Sequence, residues 1–257
     1  MPTAEATARL AAITAASSLA ADRAKFAEAL AAHPTERTRL LPLLRDPNPA
    51  VRANAAWSLS EVGSAAERPA LEAALNDSSV AVAGNALQAL ARIASRGHGS
   101  AIALACPRLA DPRAPLRALA LRALRLTGER CEHGEEADAL VRDRSEWVRQ
   151  SAAALLRDVP RGPADAVALA RARDRDPSGA VAAECEAPSP VKPDGVEATQ
   201  VVVIQAGEDL PRPSQPFALL RADGLVRLGV SDRRGQVFEV AAPRGALSLL
   251  EPATELE

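Results

Sequence analysis

The sequence predicts a mostly α-helical chain, an α-solenoid of about five helical hairpins followed by a small antiparallel β-sandwich. Three observations predict this architecture. A helix–turn–helix pattern recurs along the first three quarters of the chain. Ala, Leu and Val dominate and aromatic residues are only 2%, a composition that suits closely packed helices better than a large globular core. Near the C-terminus the texture changes to short β-branched runs between turn signals.

The hairpin pattern is clearest over residues 40–63, which read LLPLLRDPNPAVRANAAWSLSEVG. A short apolar helix is predicted to end near Arg45, and a second helix is predicted to run to Val62. Asn48 is a favourable N-cap, and Pro49 suits the first helical position because no amide hydrogen is needed there. Serines occupy a similar place in three further copies: Ser79, Ser145 and Ser178.

The copies align on one turn aspartate each, with spacings of 31, 34, 32 and 33 residues. The aspartates are Asp46, Asp77, Asp111, Asp143 and Asp176. In four copies an aliphatic residue and a leucine follow at positions that share one helical face. The fifth copy loses this pattern after Val181 and is interpreted as a truncated closing unit.

The predicted domains follow from these patterns. Residues 1–187 form the solenoid, with a capping repeat at 3–33 and repeats that begin at about 35, 65, 100, 135 and 164. Residues 188–195 form a stiff proline-rich linker. Residues 196–257 form a small antiparallel β domain with a hairpin turn at Asp223-Gly224. Because so small a domain buries little core, we expect it to dock onto the last helices.

The segment LLRDPNPAVRANAAWSLSEVG resembles the HEAT repeat, in the variety called PBS-lyase HEAT-like, and the resemblance covers roughly residues 35 to 186. It implies a hydrogen-bonded ladder between neighbouring repeats, made by the turn aspartate and an arginine six residues later. The matching pairs are Asp46 with Arg52, Asp111 with Arg117, and Asp143 with Arg149. Ala83 and Ala182 stand where the arginine would be in the second and fifth copies, so we expect interruptions there. The order of turns near the C-terminus resembles the prealbumin-like β-sandwich of carboxypeptidase regulatory-like domains.

Charge and cysteine usage narrow the function classes. The net charge of −2 provides no overall field for nucleic acid or an anionic membrane. The N-terminus lacks a basic region, and the sequence has no run of about 18 apolar residues, so a cytoplasmic protein is expected. The three cysteines, Cys106, Cys131 and Cys185, contain no CxxC motif and predict no disulfide framework.

The sequence identifies no catalytic residue, and no cofactor or metal is predicted. Cys131 and His133 form the only close pairing of metal-capable residues, and a structural zinc site needs about four ligands. The same pair lacks a third group to orient a nucleophile. Two alternatives remain open. The resemblance implies a bilin-lyase-like enzyme subunit, and a column of outward arginines favours binding to a nucleic-acid backbone, although acids intervene.

The second helices carry the predicted partner-binding face. Because Val51, Ala55 and Leu59 are on the buried face of their helix, Trp57 belongs to a separate, partly polar stripe. Trp57 is either an interface anchor or packs against the capping repeat or a neighbouring helix. The candidate contact residues are Asn54, Trp57, Glu61, Asn85, Gln88, Arg92, Arg122, Arg125 and Arg157. We therefore expect a non-enzymatic scaffold or adaptor that binds a protein or peptide partner on the concave face of the solenoid.

Overall fold

The computed structural model describes residues 19–187, 199–203, 205–206, 210–211, 215–232, 235–240 and 247–250. The chain divides into two compact units. Unit 1 consists of Met1–Ala89 and Pro193–Glu257, and unit 2 of Leu90–Lys192. The C-terminal strands therefore belong with the first helices of the chain. Residues 3–18 of the predicted capping repeat at 3–33 lie outside the described residues, as does the predicted linker at 188–195.

Among the described residues, unit 1 contains four complete helices and the first part of a fifth, which continues into unit 2. They are α1 (Ala20–Ala29), α2 (Leu40–Leu43), α3 (Pro49–Val62), α4 (Arg68–Ala74) and α5 (Val80–Ser95). Short 3-10 segments span Leu30–Ala32, Pro34–Arg39 and Ala65–Glu67. As predicted, α3 starts where the Asn48 side chain accepts a hydrogen bond from the main-chain N–H of Ala50 and Pro49 takes the first position.

Unit 2 repeats the hairpin arrangement. Its helices are α6 (Ile102–Ala105), α7 (Ala114–Thr127), α8 (Glu135–Arg142), α9 (Glu146–Asp158), α10 (Pro163–Arg175) and α11 (Gly179–Glu186), with a 3-10 segment at Cys106–Ala110. The Ser178 side chain caps α11, as predicted. Ser145 stands at the start of α9 without a side-chain cap. Gly128 ends α7 in the left-handed conformation, which favours glycine there.

Each turn aspartate closes its own turn by accepting a hydrogen bond from the main-chain N–H two residues later. The five distances from Oδ1 to nitrogen are 2.8 or 2.9 Å, for Asp46, Asp77, Asp111, Asp143 and Asp176. This is the Asx-turn geometry for which aspartate is favoured.

Arginines join neighbouring hairpins through these aspartates within each unit. In unit 1, Arg52 donates to the main-chain oxygen of Asp46 at 2.9 Å and to both carboxylate oxygens of Asp77 at 2.7 and 2.9 Å. Arg23 binds the Asp46 carboxylate in the same two-pronged way, a contact that the sequence pattern did not predict. Each arginine therefore ties its own turn to the next one with charge-assisted bonds.

The same contacts recur in unit 2. Arg117 donates to the carboxylate of Asp143 at 2.7 and 2.8 Å, and Arg149 donates to that of Asp176 at 2.7 and 3.0 Å. Asp111 is bound instead by Arg113, two residues later, at 2.9 and 3.0 Å. Ala83 has no polar side chain to offer, which agrees with the expected interruption.

Seven short strands are described in unit 1. They are β1 (Thr199–Val203), β2 (Gln205–Ala206), β3 (Leu210–Pro211), β4 (Pro216–Leu220), β5 (Val226–Val230), β6 (Gln236–Val240) and β7 (Ser248–Leu249). All pairings are antiparallel: one sheet has the order β5-β4-β7, and β1 pairs with β6 and β2 with β3. The turn between β4 and β5 contains Asp223-Gly224, as predicted, with Gly224 at φ 83°.

The β strands share a small core. Phe217 and Leu219 of β4 pack with Val237 of β6, and Leu247 lies against them. These strands form a small antiparallel β unit, which is a coarser result than the predicted sandwich. The expectation that it docks onto the last helices is wrong, because β5 packs on α3 within unit 1. No helix among the described residues combines the length and apolar character needed to cross a membrane.

Candidate binding face of the second helices

The polar stripe of the second helices is defined by positions eight, eleven and fifteen residues after each turn aspartate. In unit 1 these positions are Asn54, Trp57 and Glu61 on α3, and Asn85 and Gln88 on α5. The third stripe position of α5, Arg92, falls in unit 2. In unit 2 they include Arg122 on α7, Ser151, Ala154 and Asp158 on α9, and Glu184 on α11.

Within unit 1 this stripe binds the hairpin made by β4 and β5. The side-chain amide of Asn85 donates to the main-chain oxygen of Leu228 at 2.8 Å and accepts from the main-chain nitrogen of Leu228 at 2.9 Å. Gln88 accepts from the main-chain nitrogen of Val226 at 3.3 Å. Both amides are buried. Asn85 and Gln88 thus hold an extended strand through its main chain.

Trp57 lies beneath two arginines of the hairpin and is only 2% exposed. The guanidinium carbon of Arg221 is 5.3 Å from the centre of the Trp57 ring, and that of Arg227 is 6.0 Å away. These are cation–π distances. Of the two predicted alternatives for Trp57, packing inside the chain is the one that the structure shows, although its cover comes from the β unit and not from a neighbouring helix.

Glu239 of β6 pairs with both arginines. Its carboxylate accepts from Arg221 at 2.8 Å and from Arg227 at 2.9 Å. Arg221 also donates to Glu61 at 2.7 Å, and Arg227 donates to Glu28 at 2.6 Å. Burial raises the pKa of the Glu239 carboxyl above its ordinary value, against the opposing effect of the two guanidinium groups.

The prediction of an open partner face is therefore corrected for unit 1. The predicted contact residues Asn54, Trp57, Glu61, Asn85 and Gln88 all touch the chain's own hairpin. The physical reason is that Arg221 and Arg227 of the hairpin pair with acids on α1 and α3 and stack on the ring of Trp57. Sequence reasoning overlooked Arg221, which follows β4, and Arg227, which stands between Val226 and Leu228 as an exposed strand residue would.

The predicted arginine column of unit 2 is mostly neutralised. Arg125 donates to the carboxylate of Asp158 at 2.5 Å. Arg157 donates to Asp158 at 2.8 Å and to Glu184 at 2.6 Å. Paired arginines present little field to a phosphate backbone, which weakens the nucleic-acid alternative.

Arg122 stands apart from these pairs. It is half-buried on α7, and its Nε atom has no hydrogen-bond partner in the part of the chain that the structure describes. Burial, followed by the neighbouring charge of Arg125, lowers the pKa of Arg122 to about 10. The Ser151 hydroxyl on α9 is buried and likewise lacks a hydrogen-bond partner among the described residues. Both atoms belong to the polar stripe.

The cysteine prediction is wrong for one pair, because Cys106 and Cys131 form a disulfide. It connects the 3-10 segment before α7 with the loop after that helix. Cys131 is therefore no thiol in this structure, although it lies close to the carboxylates of Glu135 and Glu136. Neither the metal reading nor the nucleophile reading of Cys131 with His133 has a free thiol to use. Cys185 is free and half-buried.

A buried ion cluster supports the same loop and was not found from the sequence. Arg130 is 3.2 Å from the carboxylate of Glu136 and 3.1 Å from that of Asp165. Glu136 also accepts from the main-chain nitrogen of Cys131. These groups are buried and hold the loop between α7 and α8 against α10. Within the described part of the chain, Nε of Arg130 and Oε2 of Glu136 are buried without a hydrogen-bond partner.

Comparison with known proteins agrees with the repeat architecture. Residues 6–91 match the sequence profile of HEAT repeats. A solved structure described as an engineered protein aligns with 18% identity and a TM-score of 0.48, covering 70% of this chain and 93% of that one. No curated protein matches the chain. The profile match thus covers residues 6–91, and aspartate–arginine contacts of the same kind recur in both units.

Proposed function

We propose that the chain is a non-enzymatic interaction scaffold that binds a protein or peptide partner through the polar stripe of its second helices. The observation that carries this proposal is the grip of Asn85 and Gln88 on the main chain of β5. It supports the view that second helices of this sequence bind extended polypeptide, because their side-chain amides pair with main-chain groups that every polypeptide offers. The stripe of unit 1 is used within the chain, so we assign the partner to unit 2.

The first candidate for this surface is the stripe on α7, α9 and α11. There the half-buried Arg122 offers a cationic side chain to a partner.

Site-specific photocrosslinking tests the proposal. A photoreactive amino acid is placed at Leu126, the position of the stripe on α7 fifteen residues after Asp111, and at Arg142 on α8 as the control. The Arg142 side chain is 78% exposed and lies on a first helix. We expect a defined partner to crosslink from position 126 in lysate of the source organism and not from position 142. Equal crosslinking from both positions contradicts the proposal.

A further inference from the structure

The disulfide of unit 2 lies among side chains of the kinds that bind divalent metal ions. The Sγ atom of Cys131, a carboxylate oxygen of Glu135 and one of Glu136 all lie within 4.8 Å of one another. His133 lies beside them, with its Nδ1 atom 3.6 Å from Oε1 of Glu135. Cys106 brings a second sulfur to the same place, because it is bonded to Cys131. Cysteine, histidine and carboxylate side chains are the ligands that Zn²⁺ uses in proteins.

The distances suit a single tetrahedral ion once the two sulfurs are thiolates. Zinc binds sulfur at about 2.3 Å and nitrogen or oxygen at about 2.0–2.2 Å, so its ligand atoms lie about 3.3–3.8 Å from one another. The 3.6 Å between His133 and Glu135 is within this range. The Cα atoms of Cys106 and Cys131 are 5.7 Å apart, close enough for both sulfurs to reach one ion. The Glu135 side chain is 41% exposed, so it can turn towards the ion and leaves a route for the ion to enter.

A buried carboxylate oxygen at this place has no partner. Glu136 is 0% exposed, and its Oε1 atom accepts from the main-chain nitrogen of Cys131. Its Oε2 atom has no hydrogen-bond partner in the part of the chain that the structure describes. Buried polar atoms are almost always paired, and exceptions call for a specific explanation. An ion held by Cys131 and Glu135 explains it, because the ion places a positive charge, or a water bound to the ion, beside that oxygen.

Contacts other than the disulfide hold the main chain around it. Arg161 donates to the main-chain oxygens of Arg130 and Cys131 at 2.9 and 2.6 Å. The carboxylate of Glu129 accepts from the main-chain nitrogen of Ala101 at 2.7 Å, which ties the start of α6 to the loop that follows α7. The two cysteines therefore stay close together when the disulfide is reduced. Ligands held in place before binding lose less conformational freedom on binding, which raises affinity.

We infer that unit 2 contains a redox-controlled zinc site, in which Cys106 and Cys131 bind Zn²⁺ as thiolates, together with Glu135 and His133, once their disulfide is reduced. A dithiol reductant supplies the two electrons: its two S–H groups become a disulfide of the reductant, and the protein disulfide becomes two thiols. Zinc binding then releases two protons, because the thiolates are the metal ligands. This inference is independent of the proposed scaffold function.

Zinc titration of the full-length chain tests the inference. The chain is reduced with a dithiol, desalted into metal-free buffer under nitrogen and titrated with Zn²⁺ in competition with a chromophoric chelator. We expect one ion per reduced chain and at least about a hundredfold weaker binding by the oxidised chain. The double variant Cys106→Ser, Cys131→Ser should lose the site, and Glu135→Gln and His133→Gln should each weaken it at least about tenfold. Glu132→Gln, an exposed acid of the same loop, should bind like the wild type.

Cobalt in place of zinc identifies the ligands independently of affinity. Reduced wild-type chain with Co²⁺ should show the charge-transfer absorption of two thiolates on a tetrahedral ion, and Cys185→Ser should show the same spectrum, because Cys185 is no part of the site. Circular dichroism establishes that each reduced variant is folded.

Four results overturn the inference. The first is a reduced wild-type chain that binds no zinc. The second is equal affinity of Glu135→Gln and the wild type, which would mean adventitious binding to thiols alone. The third is loss of the cobalt spectrum in Cys185→Ser. The fourth is a reduced chain that loses its helical circular dichroism and does not regain it with zinc.

Discussion

Asn85 and Leu228 are 143 residues apart in the chain and share two hydrogen bonds, one from each end of the Asn85 amide to the main chain of Leu228. The amide nitrogen also donates to the main-chain oxygen of Ala53 at 3.0 Å. Asn85 therefore fixes β5 to α5 and α5 to α3 at the same point. Its loss would leave buried main-chain groups of β5 without partners.

Asn85→Ala should lower the free energy of unfolding by about 1–3 kcal/mol for each buried group left unpaired. It should also speed tryptic cleavage after Arg227, which is 3% exposed in the folded chain. Urea denaturation and timed digestion measure the two effects. Asn76→Ala, at an exposed position after α4, is the matched control. Identical cleavage rates in the two variants would show that Asn85 does not hold the hairpin.

The buried ion cluster around Glu239 predicts non-additive mutations. Glu239→Leu alone leaves Arg221 and Arg227 buried beside each other, and removal of one partner of a buried ion pair typically costs about 3–5 kcal/mol. In the double variant Glu239→Leu, Arg221→Met, the second change should cost less than Arg221→Met costs in the wild-type chain, because its ion pair with Glu239 is already gone. Chemical denaturation of the wild-type chain, the two single variants and the double variant measures the two costs. Equal costs of Arg221→Met in both backgrounds would contradict the reasoning.

The disulfide of unit 2 predicts a redox-dependent stability. Cys106 and Cys131 close a loop with a sequence separation of 25, and a native disulfide of such a loop typically stabilises by about 2–4 kcal/mol. The double variant Cys106→Ser, Cys131→Ser should melt at a lower temperature than wild type in non-reducing buffer. Cys185→Ser is the control, because its thiol is free. If reductant leaves the melting temperature of the wild-type protein unchanged, the bridge contributes nothing.

Local spacing accounts for what the sequence could predict. The hairpins, the cap at Asn48 and the aspartate–arginine contacts repeat within one or two copies, so a periodic pattern determines them. The contacts by which the hairpin covers the unit 1 stripe join residues that are between 138 and 199 positions apart, such as Gln88 with Val226 and Glu28 with Arg227. No periodicity connects such residues. The one sequence signal was a pair of arginines, Arg221 and Arg227, six residues apart in a short hairpin. Their burial could not be predicted from it, because it depends on Trp57 and Glu239 together.

For the polar stripe, the sequence could predict which residues share a face but not what covers that face. Its residues were correctly grouped on one face by helical period, because period depends only on α3 and α5 themselves. Which occupant covers that face depends on another part of the chain. The positions in α7 and α9 follow the same period, so Arg122 could be grouped with Trp57 from sequence. The pairing of Asp158 with Arg125 and of Glu184 with Arg157 could not be predicted, because it depends on how the helices pack in three dimensions.

The aspartate–arginine contacts predict loss of stability in acid. The hydrogen bond from Arg23 holds the pKa of Asp46 below its ordinary value. For Asp143, burial alone would raise the pKa, but the hydrogen bond from Arg117 outweighs it and the net direction is down. A carboxyl with a lowered folded-state pKa stabilises the fold above the unfolded pKa of about 3.9, and that contribution is lost as the pH falls through the folded value.

The free energy of unfolding, measured by urea denaturation between about pH 6 and about pH 2.5, should therefore decline steadily below about pH 4. Asp143→Asn should be less stable than wild type at neutral pH by about 1–3 kcal/mol, because Arg117 then loses a charged acceptor, and its decline in acid should be shallower. Asp138→Asn, whose side chain is 71% exposed, provides the control with a decline like that of wild type. Parallel pH curves for wild type and Asp143→Asn would mean that Asp143 titrates alike in the folded and unfolded chain, and that the turn aspartates do not link the hairpins electrostatically.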